Sequence, residues 1–349
     1  MTEAALRLNE LEAATPVHYS VMAREVVAAL NPRRGDVFLD VTAGAGGHSE
    51  ALLEAANEVK VIAFDRDPLA VARSRERLAR FGARAEVVHL EFARIEEWLR
   101  EHRMPMAAGL VADLGLSSPQ LSEAKRGMSF RLEGPIDMRM DPTRGETARE
   151  LIERTSQDEL ADLIYLYGGE RRSRRVARCL KQALEEDRLG STLDLRKAVV
   201  RAVGPQRVGG IDPATKTFQA LRIAVNGELD QLDRLLDALP SIIAPGGVAA
   251  LISFHSLEDR KVKQAFLDGT RFERLTKKPM VPSNAELDEN ARSRSAKLRA
   301  ARLLRPEWAS TEASSDELDA EELDADDPET AELDAGDLDT SDLDPGDAA

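Results

Sequence analysis

The residue types best suited to chemistry in this sequence are glycines and aspartates that follow short apolar stretches. The segment Asp40-Val-Thr-Ala-Gly-Ala-Gly-Gly-His48 places three glycines where an apolar stretch gives way to a helical pattern. Glycines at such a turn let the backbone approach a ligand, with the N-terminus of the helix behind it. Asp65 and Asp113 end two later apolar stretches. The pattern predicts one ligand site formed by several turns.

The acid that precedes the glycines distinguishes between two kinds of nucleotide ligand. The dinucleotide fingerprint Gly-x-Gly-x-x-Gly fits Gly44 and Gly46 but meets Ser49 at its last position. A carboxylate at Asp40 would repel a pyrophosphate and attract a ligand with a free ammonium group. Asp65 can accept hydrogen bonds from ribose hydroxyls. Taken singly, these residues also fit a cap and a tight turn, but together they favour S-adenosylmethionine over NAD and predict a methyltransferase.

The segment after the third aspartate indicates which kind of atom would be methylated. It reads Asp113-Leu-Gly-Leu-Ser-Ser-Pro-Gln120, where amino-methyltransferases usually carry Asp/Asn/Ser-Pro-Pro-aromatic. Hydrogen-bond acceptors in this loop can hold both protons of a planar amine and favour the tetrahedral geometry that attack on a methyl group requires. Ser118 and Pro119 match half of the pattern, whereas Gln120 does not, and an ordinary loop is the alternative.

The numbers and positions of cysteine and histidine residues argue against cytosine C5 methylation and against a zinc site. Methylation at cytosine C5 needs a thiolate nucleophile, but the only cysteine, Cys179, lies in an arginine-rich helical segment far from the glycines in sequence. The five histidines are scattered, and no Cys/His cluster has the spacing of a zinc site. We therefore expect no metal cofactor. A single cysteine also fits a reducing compartment.

Alternating patterns predict the elements that position these residues. Short apolar stretches alternate with helical patterns up to Asp113, as in right-handed βαβ units that build a parallel sheet. A region rich in helical patterns follows, then a long helix and one more strand. The predicted strands cover 37–41, 59–64, 85–90, 109–112 and 248–254, and the long helix covers about 213–239.

We therefore predict an α/β fold in which a helical domain interrupts a Rossmann-like sheet. Residues 16–122 and 213–305 form the discontinuous sheet domain, and residues 123–212 form an inserted helical domain for substrate recognition. Two domains in series are the alternative, but the late strand would then have no sheet to join. Residues 306–349 are predicted to be a disordered acidic tail, because they combine few apolar residues with high like charge.

The net charge of −15 over 349 residues obscures the charge of the folded body. Residues 306–349 carry 18 acidic residues and no Lys or Arg, which leaves residues 1–305 with 48 basic and 45 acidic residues and a net charge of +3. A mildly basic body is compatible with a nucleic-acid partner. The sequence contains neither a signal-peptide pattern nor an apolar segment long enough to span a bilayer, so we expect a cytoplasmic protein without membrane contact.

Seven motifs together resemble one family. They are His18-Tyr-Ser-Val-Met22, Gly44-Ala-Gly-Gly-His-Ser49, Asp65-Arg-Asp-Pro68, Asp113-Leu-Gly-Leu-Ser-Ser-Pro-Gln120, Asp137-Met-Arg-Met-Asp-Pro142, Thr217-Phe-Gln-Ala-Leu-Arg222 and Phe254-His-Ser-Leu-Glu-Asp-Arg260. The family is that of the bacterial small-subunit rRNA cytosine-N4-methyltransferases, and the resemblance covers about 18–304. It implies a class I S-adenosylmethionine-dependent fold and methyl transfer to N4 of a cytidine in the decoding centre of 16S rRNA, within the small ribosomal subunit.

Carried over position by position, the resemblance assigns the cofactor contacts. They fall on Gly46, Gly47, His48, Asp65, Phe92, Asp113 and Gln120. Asp113 is also the candidate catalytic residue, and Phe92 is the aromatic residue expected to pack on adenine. Ala43 and Ala45 stand where other members carry bulkier side chains, which affects the fine shape of the methionine pocket.

Basic and polar residues outside the cofactor motifs are candidates for RNA contact. The first group recurs at the spacing of one helix face and could follow a phosphate backbone: Arg171, Arg174, Arg175 and Arg178. Residues 291–305 carry six basic residues, among them Arg294 and Lys297, and no acid. A solvated charged face is the alternative for both groups. The remaining candidates are expected around the cytidine: Ser118, Asp137, Arg139, Asp141, His255 and Asp259.

Two other functions are compatible with these residues. Ser118 and Pro119 also fit a DNA amino-methyltransferase, and the basic segments fit an RNA-binding assembly factor that retains the cofactor fold without turnover. The sequence does not distinguish a monomer from a homodimer.

Overall fold

Seven strands form one sheet in the computed structural model, which describes residues 20–205 and 211–305. In chain order they are β1 (Val37–Asp40), β2 (Lys60–Asp65), β3 (Ala85–His89), β4 (Ala107–Asp113), β5 (Ile243–Ser253), β6 (Phe272–Arg274) and β7 (Lys297–Leu303). Their order across the sheet is β3-β2-β1-β4-β5-β7-β6. Strands β1 to β5 pair in parallel, and β7 is antiparallel to both of its neighbours. The predicted α/β fold is confirmed.

The topology brings the predicted aspartates to one edge of the sheet. Asp40, Asp65 and Asp113 are the last residues of β1, β2 and β4, and β1 pairs with both of the other strands. The carboxyl ends of parallel strands meet at the same edge, where ligands of open α/β sheets bind. Phe38 and Leu110 anchor β1 and β4 in the interior, because both side chains are fully buried.

Helices cover both faces of the sheet and also form a separate group. In chain order they are α1 (Ala23–Leu30), α2 (Gly47–Ala55), α3 (Pro68–Leu78), α4 (Ile95–Glu101), α5 (Ser118–Ser122), α6 (Ala148–Arg154), α7 (Gln157–Gly168), α8 (Ser173–Glu185), α9 (Thr192–Val203), α10 (Thr215–Asn226), α11 (Glu228–Ile242), α12 (Ser256–Phe266) and α13 (Asn284–Glu289). Leu99 of α4, Leu232 of α11 and Phe266 of α12 belong to one sheet core. Val26 of α1 and Leu52 of α2 belong to the other.

A third hydrophobic core lies within the helices between β4 and α11. Ile152 of α6, Leu160 of α7 and Val176 of α8 are fully buried in it. The capping box expected at the start of α7 is present, since the Ser156 and Glu159 side chains each accept the backbone N–H of the other. These helices therefore pack mainly against one another.

The prediction of one continuous helix over about 213–239 is wrong, because the structure has two helices there. α10 ends at Asn226 and α11 begins at Glu228, since Gly227 adopts a left-handed conformation with φ of 57° that interrupts the helical path. Phe218 of α10 packs in the core of the inserted helices, whereas Leu232 of α11 packs against the sheet. We propose that the boundary between the two domains lies at Gly227.

Much of the basic segment 291–305 is a strand that the sequence analysis missed. β7 lies between β5 and β6, and its Leu298, Ala300 and Ala301 are buried. Arg299 is also buried, and its Nε donates to Oδ1 of Asp259 at 2.7 Å. Part of the positive charge in this segment therefore stabilises the fold.

Residues 1–19, 206–210 and 306–349 lie outside the described part of the chain. The disorder expected of the acidic tail thus stays a prediction. Among the helices that the structure does describe, none combines the length and the apolar character that crossing a membrane requires.

Candidate active site

A cleft of about 1180 Å³, including the solvent at its mouth, opens at the carboxyl edge of the sheet. It is lined by the turns that follow β1, β2, β4 and β5, by the start of α11, and by Ser20 and Val21. Most of the predicted cofactor residues line this cleft, namely Gly47, His48, Asp65, Phe92, Asp113 and Gln120. Gly46 is not part of the lining.

The glycine loop brings backbone, without side chains, up to the cleft. Gly44 has φ of 53°, and its N–H donates to Oδ2 of Asp65 at 2.8 Å. Gly46 has φ of 81° and is the N-cap of α2, so its conformation makes the turn. A Cβ at Gly47 would lie 1.9 Å from Oγ of Ser20. Glycine at this position therefore allows the chain before α1 to pack against the loop.

Asp65 has both carboxylate oxygens fixed by backbone groups. Oδ2 accepts the N–H of Gly44 and Oδ1 accepts the N–H of Asp67, each at 2.8 Å. Burial raises the pKa of Asp65 to about 6, with the charges of Asp67 and Asp40 adding to the increase and the two hydrogen bonds opposing it. Because each oxygen has a further lone pair, Asp65 can also accept hydrogen bonds from ribose hydroxyls.

Asp113 has an oxygen that no described residue satisfies. Its Oδ1 is buried without a hydrogen-bond partner. Burial raises the pKa of Asp113 to about 6; the charge of His48 opposes this increase, and those of Asp40 and Glu258 add to it. The N–H of Asp113 donates to Oγ1 of Thr42 at 2.6 Å, which joins the end of β4 to the turn after β1.

Asp40 does not line the cleft, and its attraction for an ammonium group stays a prediction. Its Oδ2 accepts the hydroxyl of Ser49 at 2.6 Å, and its Oδ1 accepts the N–H of Thr42 at 3.3 Å. The side chain is fully buried outside the cleft lining, and burial raises its pKa. Asp40 therefore stabilises the turn, whereas Asp65 and Asp113 line the cleft.

The charges of the cleft fit S-adenosylmethionine. Asp65 and Asp113 are acids whose ionised forms are disfavoured by burial, so a cation beside them is stabilising. S-adenosylmethionine carries a sulfonium and an ammonium group as well as ribose hydroxyls. A pyrophosphate would add negative charge to the same cleft. The residues present fit the sulfonium cofactor better than a dinucleotide.

The side chains of His48 and Phe92 differ in how much of their surface already contacts other residues of the protein. His48 is buried, and its Nε2 lies 2.9 Å from the carbonyl oxygen of Val21. This contact holds the chain before α1 against the glycine loop. Phe92 is half-buried and packs against the sheet core while lining the cleft, so one side of its ring can still meet a ligand.

Gln120 belongs to a buried polar network that joins the sheet to the inserted helices. Its Oε1 accepts the N–H of Ser117 at 2.9 Å, and its Nε2 donates to Oδ2 of Asp67 at 3.0 Å. Arg126 donates to both oxygens of Asp67, at 3.3 and 2.8 Å, and these two side chains are only 4% and 3% exposed. Gln120 thus positions the loop after β4, and its contact with the cofactor stays a prediction.

Residues 15–304 match the MraW methylase family. The chain belongs to this family. The ribosomal RNA small subunit methyltransferase H of Sorangium cellulosum is 62% identical over 281 residues, which cover 80% of this chain and 89% of that relative. The protein of the same name from Synechococcus elongatus is 50% identical over 282 residues, with coverages of 80% and 93%. The crystal structure of an rRNA methylase from Streptococcus thermophilus is a distant likeness, with a TM-score of 0.39, 11% identity and coverages of 81% and 95%.

Family membership confirms the S-adenosylmethionine-dependent methyltransferase predicted from the sequence. In this member of the family, two of the polar residues expected around the cytidine pair with one another. Asp137 and Arg139 form a two-bond ion pair, with both bonds at 2.8 Å, and neither lines the cleft. Met140 of the same loop does line it. The side chain of Ser118 lies outside the described residues.

Asp259 and His255 lie beside the cleft and do not line it. Asp259 accepts hydrogen bonds from Arg299 at 2.7 Å and from Lys297 at 3.4 Å. The negative charge of Asp259 is therefore paired with the positive charges of these two side chains. His255 is the N-cap of α12, and its side chain is 9% exposed. Contact of Asp259, Lys297 and His255 with RNA stays a prediction.

The arginine group predicted to follow phosphates is exposed. Arg174, Arg175 and Arg178 lie on α8, but the prediction that Arg171 shares the helix is wrong, because α8 begins at Ser173. Arg294 is exposed as well, within a short 3-10 helix. The RNA contacts of these side chains stay predictions.

Three charged residues that the sequence analysis passed over line the cleft: Arg66, Glu228 and Glu258. Glu258 stands three residues after the N-cap His255, which is the spacing of a capping box and could have indicated an inward-facing acid. Glu228 directly follows Gly227, where we had predicted a continuous helix, so no pattern marked it.

Proposed function

We propose that the protein transfers the methyl group of S-adenosylmethionine to the exocyclic N4 of a cytidine in the decoding centre of 16S rRNA. The observation that carries this proposal is the cleft at the carboxyl edge of the sheet, where Asp65 and the unpartnered oxygen of Asp113 lie beside the glycine loop. The substrate class comes from relatives named ribosomal RNA small subunit methyltransferase H. The target atom follows from the sequence motifs.

The residues of the cleft would hold the cofactor at the carboxyl edge of the sheet. S-adenosylmethionine would supply an electrophilic methyl group bonded to a sulfonium sulfur. Asp65 would accept hydrogen bonds from the ribose, Phe92 would pack against the adenine, and Asp113 would attract the ammonium group through its unpartnered Oδ1. Such contacts would position the methyl donor for attack by an amine, and positioning lowers the barrier to transfer.

Attack by nitrogen, and not by the ring carbon C5, agrees with the place of the only cysteine. Methylation at C5 requires a thiolate that adds to the ring beside the cofactor. Cys179 lies on α8 at the margin of the helical core and does not line the cleft. The cleft therefore supports direct transfer to an exocyclic amine.

The exposed arginines of the inserted helices are the proposed contacts for RNA phosphates. Arg174, Arg175 and Arg178 on α8, with Arg171 before it, form one exposed basic surface, and Arg294 adds charge near the sheet. Such contacts position RNA without reading its sequence, so the cytidine must be selected by the fold of the rRNA and by the cleft. We propose that the substrate is the small ribosomal subunit and that the protein acts in the cytoplasm.

Methyl incorporation from tritiated S-adenosylmethionine tests the proposal. Small ribosomal subunits from a strain that lacks this modification, free 16S rRNA and duplex DNA are the three substrates. We expect incorporation into the rRNA of the subunits and none into duplex DNA. Incorporation into DNA alone would indicate a DNA amino-methyltransferase, and binding to RNA without incorporation would indicate a non-catalytic assembly factor; either result would overturn the proposal.

A further inference from the structure

Glu228, His255 and the buried Glu258 form a cluster of side chains near Asp113, and the proposed function assigns no role to this cluster. Potential ligand atoms of Glu228, His255 and Glu258 all lie within 4.8 Å of one another. Both glutamates line the cleft. Glu258 is only 3% exposed, although its carboxyl group lies in the first turn of α12. Buried charges are retained at a cost and require an explanation.

The cluster adjoins the loop after β4. The N–H of Leu114 donates to the carbonyl oxygen of Ile252 at 2.9 Å, and a Cβ at Gly115 would lie 2.7 Å from the ring of Phe254. The end of β5 therefore packs closely against the loop after β4. The N–H of Phe254 in turn donates to Oε2 of Glu258 at 2.9 Å, which fixes that carboxylate next to the loop.

His255 presents an N–H to the cluster. Its Nδ1 accepts the N–H of Glu258 at 3.3 Å, so in the neutral ring the proton is on Nε2. Nε2 lies 3.2 Å from Oε1 of Glu258 but outside hydrogen-bond geometry, and it is buried without a partner. The side chain is 9% exposed. One donor and one carboxylate oxygen thus face the same space with their hydrogen bonding incomplete.

A divalent cation fits this cluster less well than a hydrogen-bonding base. Arg222 donates to both oxygens of Glu228, at 2.8 and 2.7 Å, and its positive charge is buried with them. Coordination through Nε2 of His255 would also require the proton to leave that nitrogen. Binding of a neutral amine leaves both the Arg222–Glu228 ion pair and the proton on Nε2 of His255 in place.

We propose that Glu258 binds the target amine and accepts its proton, an inference that rests on the proposed function. Acidic side chains recognise cytosine by accepting from N4. As the N4–methyl bond forms and the sulfur–methyl bond breaks, S-adenosylhomocysteine leaves with the electron pair of the broken bond. The amine gives its proton to Oε1 of Glu258, and the proton passes to water when the product departs. His255 and the Arg222–Glu228 pair act as positioning residues.

The variant that tests this role is Glu258→Gln, which keeps the size of the side chain and removes its ability to accept a proton. We expect kcat on modification-deficient small subunits to fall about 100-fold or more, with the Kd for S-adenosylmethionine and the binding of subunits unchanged. Glu258→Asp, which restores a carboxylate, should recover part of the loss. A role in folding alone would lower cofactor affinity and thermal stability together and would show no such recovery.

Asp233→Asn is the matched control. Asp233 of α11 pairs with Lys261 of α12 at 2.6 Å, so its replacement loosens the same helix without touching the cleft. We expect it to keep the wild-type rate. Should Glu258→Gln fail to fold, the rate of Glu258→Asp against that of Asp233→Asn decides the question, and equal rates would refute the inference.

The remaining outcomes separate this inference from the proposed function. If the wild-type protein methylates subunits and Glu258→Gln does so at the same rate, the inference is wrong and the proposed function stands. If EDTA abolishes wild-type activity and Mn²⁺ restores it, the cluster is a metal site and the inference is wrong. If the wild-type protein transfers no methyl group to any of the substrates, the proposed function fails and the inference fails with it.

Discussion

At the scale of single residues, the cleft contains acids whose ionised forms a bound cation would stabilise. Asp65 and Asp113 have their pKa values raised to about 6, chiefly by burial. The sequence predicted both residues, because each ends an apolar stretch. It could not predict that the Asp40 carboxylate accepts hydrogen bonds from Ser49 and Thr42. These bonds depend on how the backbone of the turn is packed. Nor could the sequence predict Glu258, whose burial comes from the approach of β5 to the loop after β4.

Cofactor affinity should fall as the pH is lowered through about 6. Below this value Asp65 and Asp113 are protonated and no longer attract the positive charges of S-adenosylmethionine. Isothermal titration calorimetry between pH 7.5 and pH 5 measures the effect. A dissociation constant that stays the same over this range would show that the two acids do not interact with the cofactor.

The same pKa values predict how ligand-free stability responds to pH. Both acids have folded pKa values above the ordinary value of 3.8, so the folded state binds more protons than the unfolded state between these values. Their contribution to the free energy of unfolding therefore decreases as the pH rises from about 4 to about 6 and stays low above it. The increase in Tm on adding S-adenosylmethionine should be larger at pH 7.5 than at pH 5, and an equal increase at both would contradict this.

Replacement of Asp65 by asparagine should weaken S-adenosylmethionine binding about 10- to 100-fold. The amide removes the charge from an acceptor of ribose hydroxyls, and hydrogen bonds to charged groups contribute about 1.5–3 kcal/mol. The matched control is Asp36→Asn, which lies in an exposed turn, where Oδ2 accepts the N–H of Arg33. Calorimetry on both variants checks the prediction, and equal affinities would show that Asp65 does not hold the ribose.

At the scale of elements, the turn after β2 and the inserted helices are joined by one buried ion pair. Arg126 follows α5 and donates to Asp67, which also caps α3 by accepting the N–H of Leu69 at 3.0 Å. Arg126 also donates to the carbonyl oxygen of Met140, which lines the cleft. The cofactor turns and the inserted domain are therefore anchored to the same two side chains.

Arg126→Met should lower the free energy of unfolding by about 3–5 kcal/mol, because it leaves the carboxylate of Asp67 buried without its partner. Arg34→Met is the control, since Arg34 and Glu58 pair in solvent with 75% and 60% of their side chains exposed. Its effect should be much smaller, because solvent screens an exposed ion pair. Urea denaturation measures both. Similar losses for the two variants would show that burial does not strengthen the Arg126 pair.

The elements also show where sequence patterns stop being informative. Strands such as β1 and β4 were predictable because they are continuous apolar stretches that end in aspartate. Two helices were predicted as one because Gly227 is a single residue in an otherwise amphipathic pattern, and only its left-handed conformation separates α10 from α11. β7 was missed because Lys297, Arg299 and Arg302 dominate its composition, although Arg299 is neutralised by Asp259 in the interior.

At the scale of the whole molecule, charge is divided between the body and the tail. Residues 1–305 have a net charge of +3 and residues 306–349 carry 18 acidic residues. The tail follows directly on the segment that contains β7 and Arg294. We therefore expect the anionic tail to compete with RNA for basic side chains through screened electrostatics.

Removal of residues 306–349 should therefore raise the affinity for unrelated RNA at low salt. The difference from the full-length protein should shrink as salt is added, because phosphate contacts weaken with ionic strength. Filter binding to an unrelated RNA at 50 and 300 mM KCl measures the effect. The same affinity for both proteins at low salt would show that the tail does not compete with RNA.

The identity of the methylated nucleoside distinguishes transfer to N4 from transfer to C5. The most direct measurement is mass spectrometry of nucleosides from the 16S rRNA of modification-deficient small subunits after incubation with the protein and S-adenosylmethionine. We predict N4-methylcytidine, and its loss when Asp113 is replaced by asparagine. 5-Methylcytidine, or no methylated cytidine with the wild-type protein, would contradict the account.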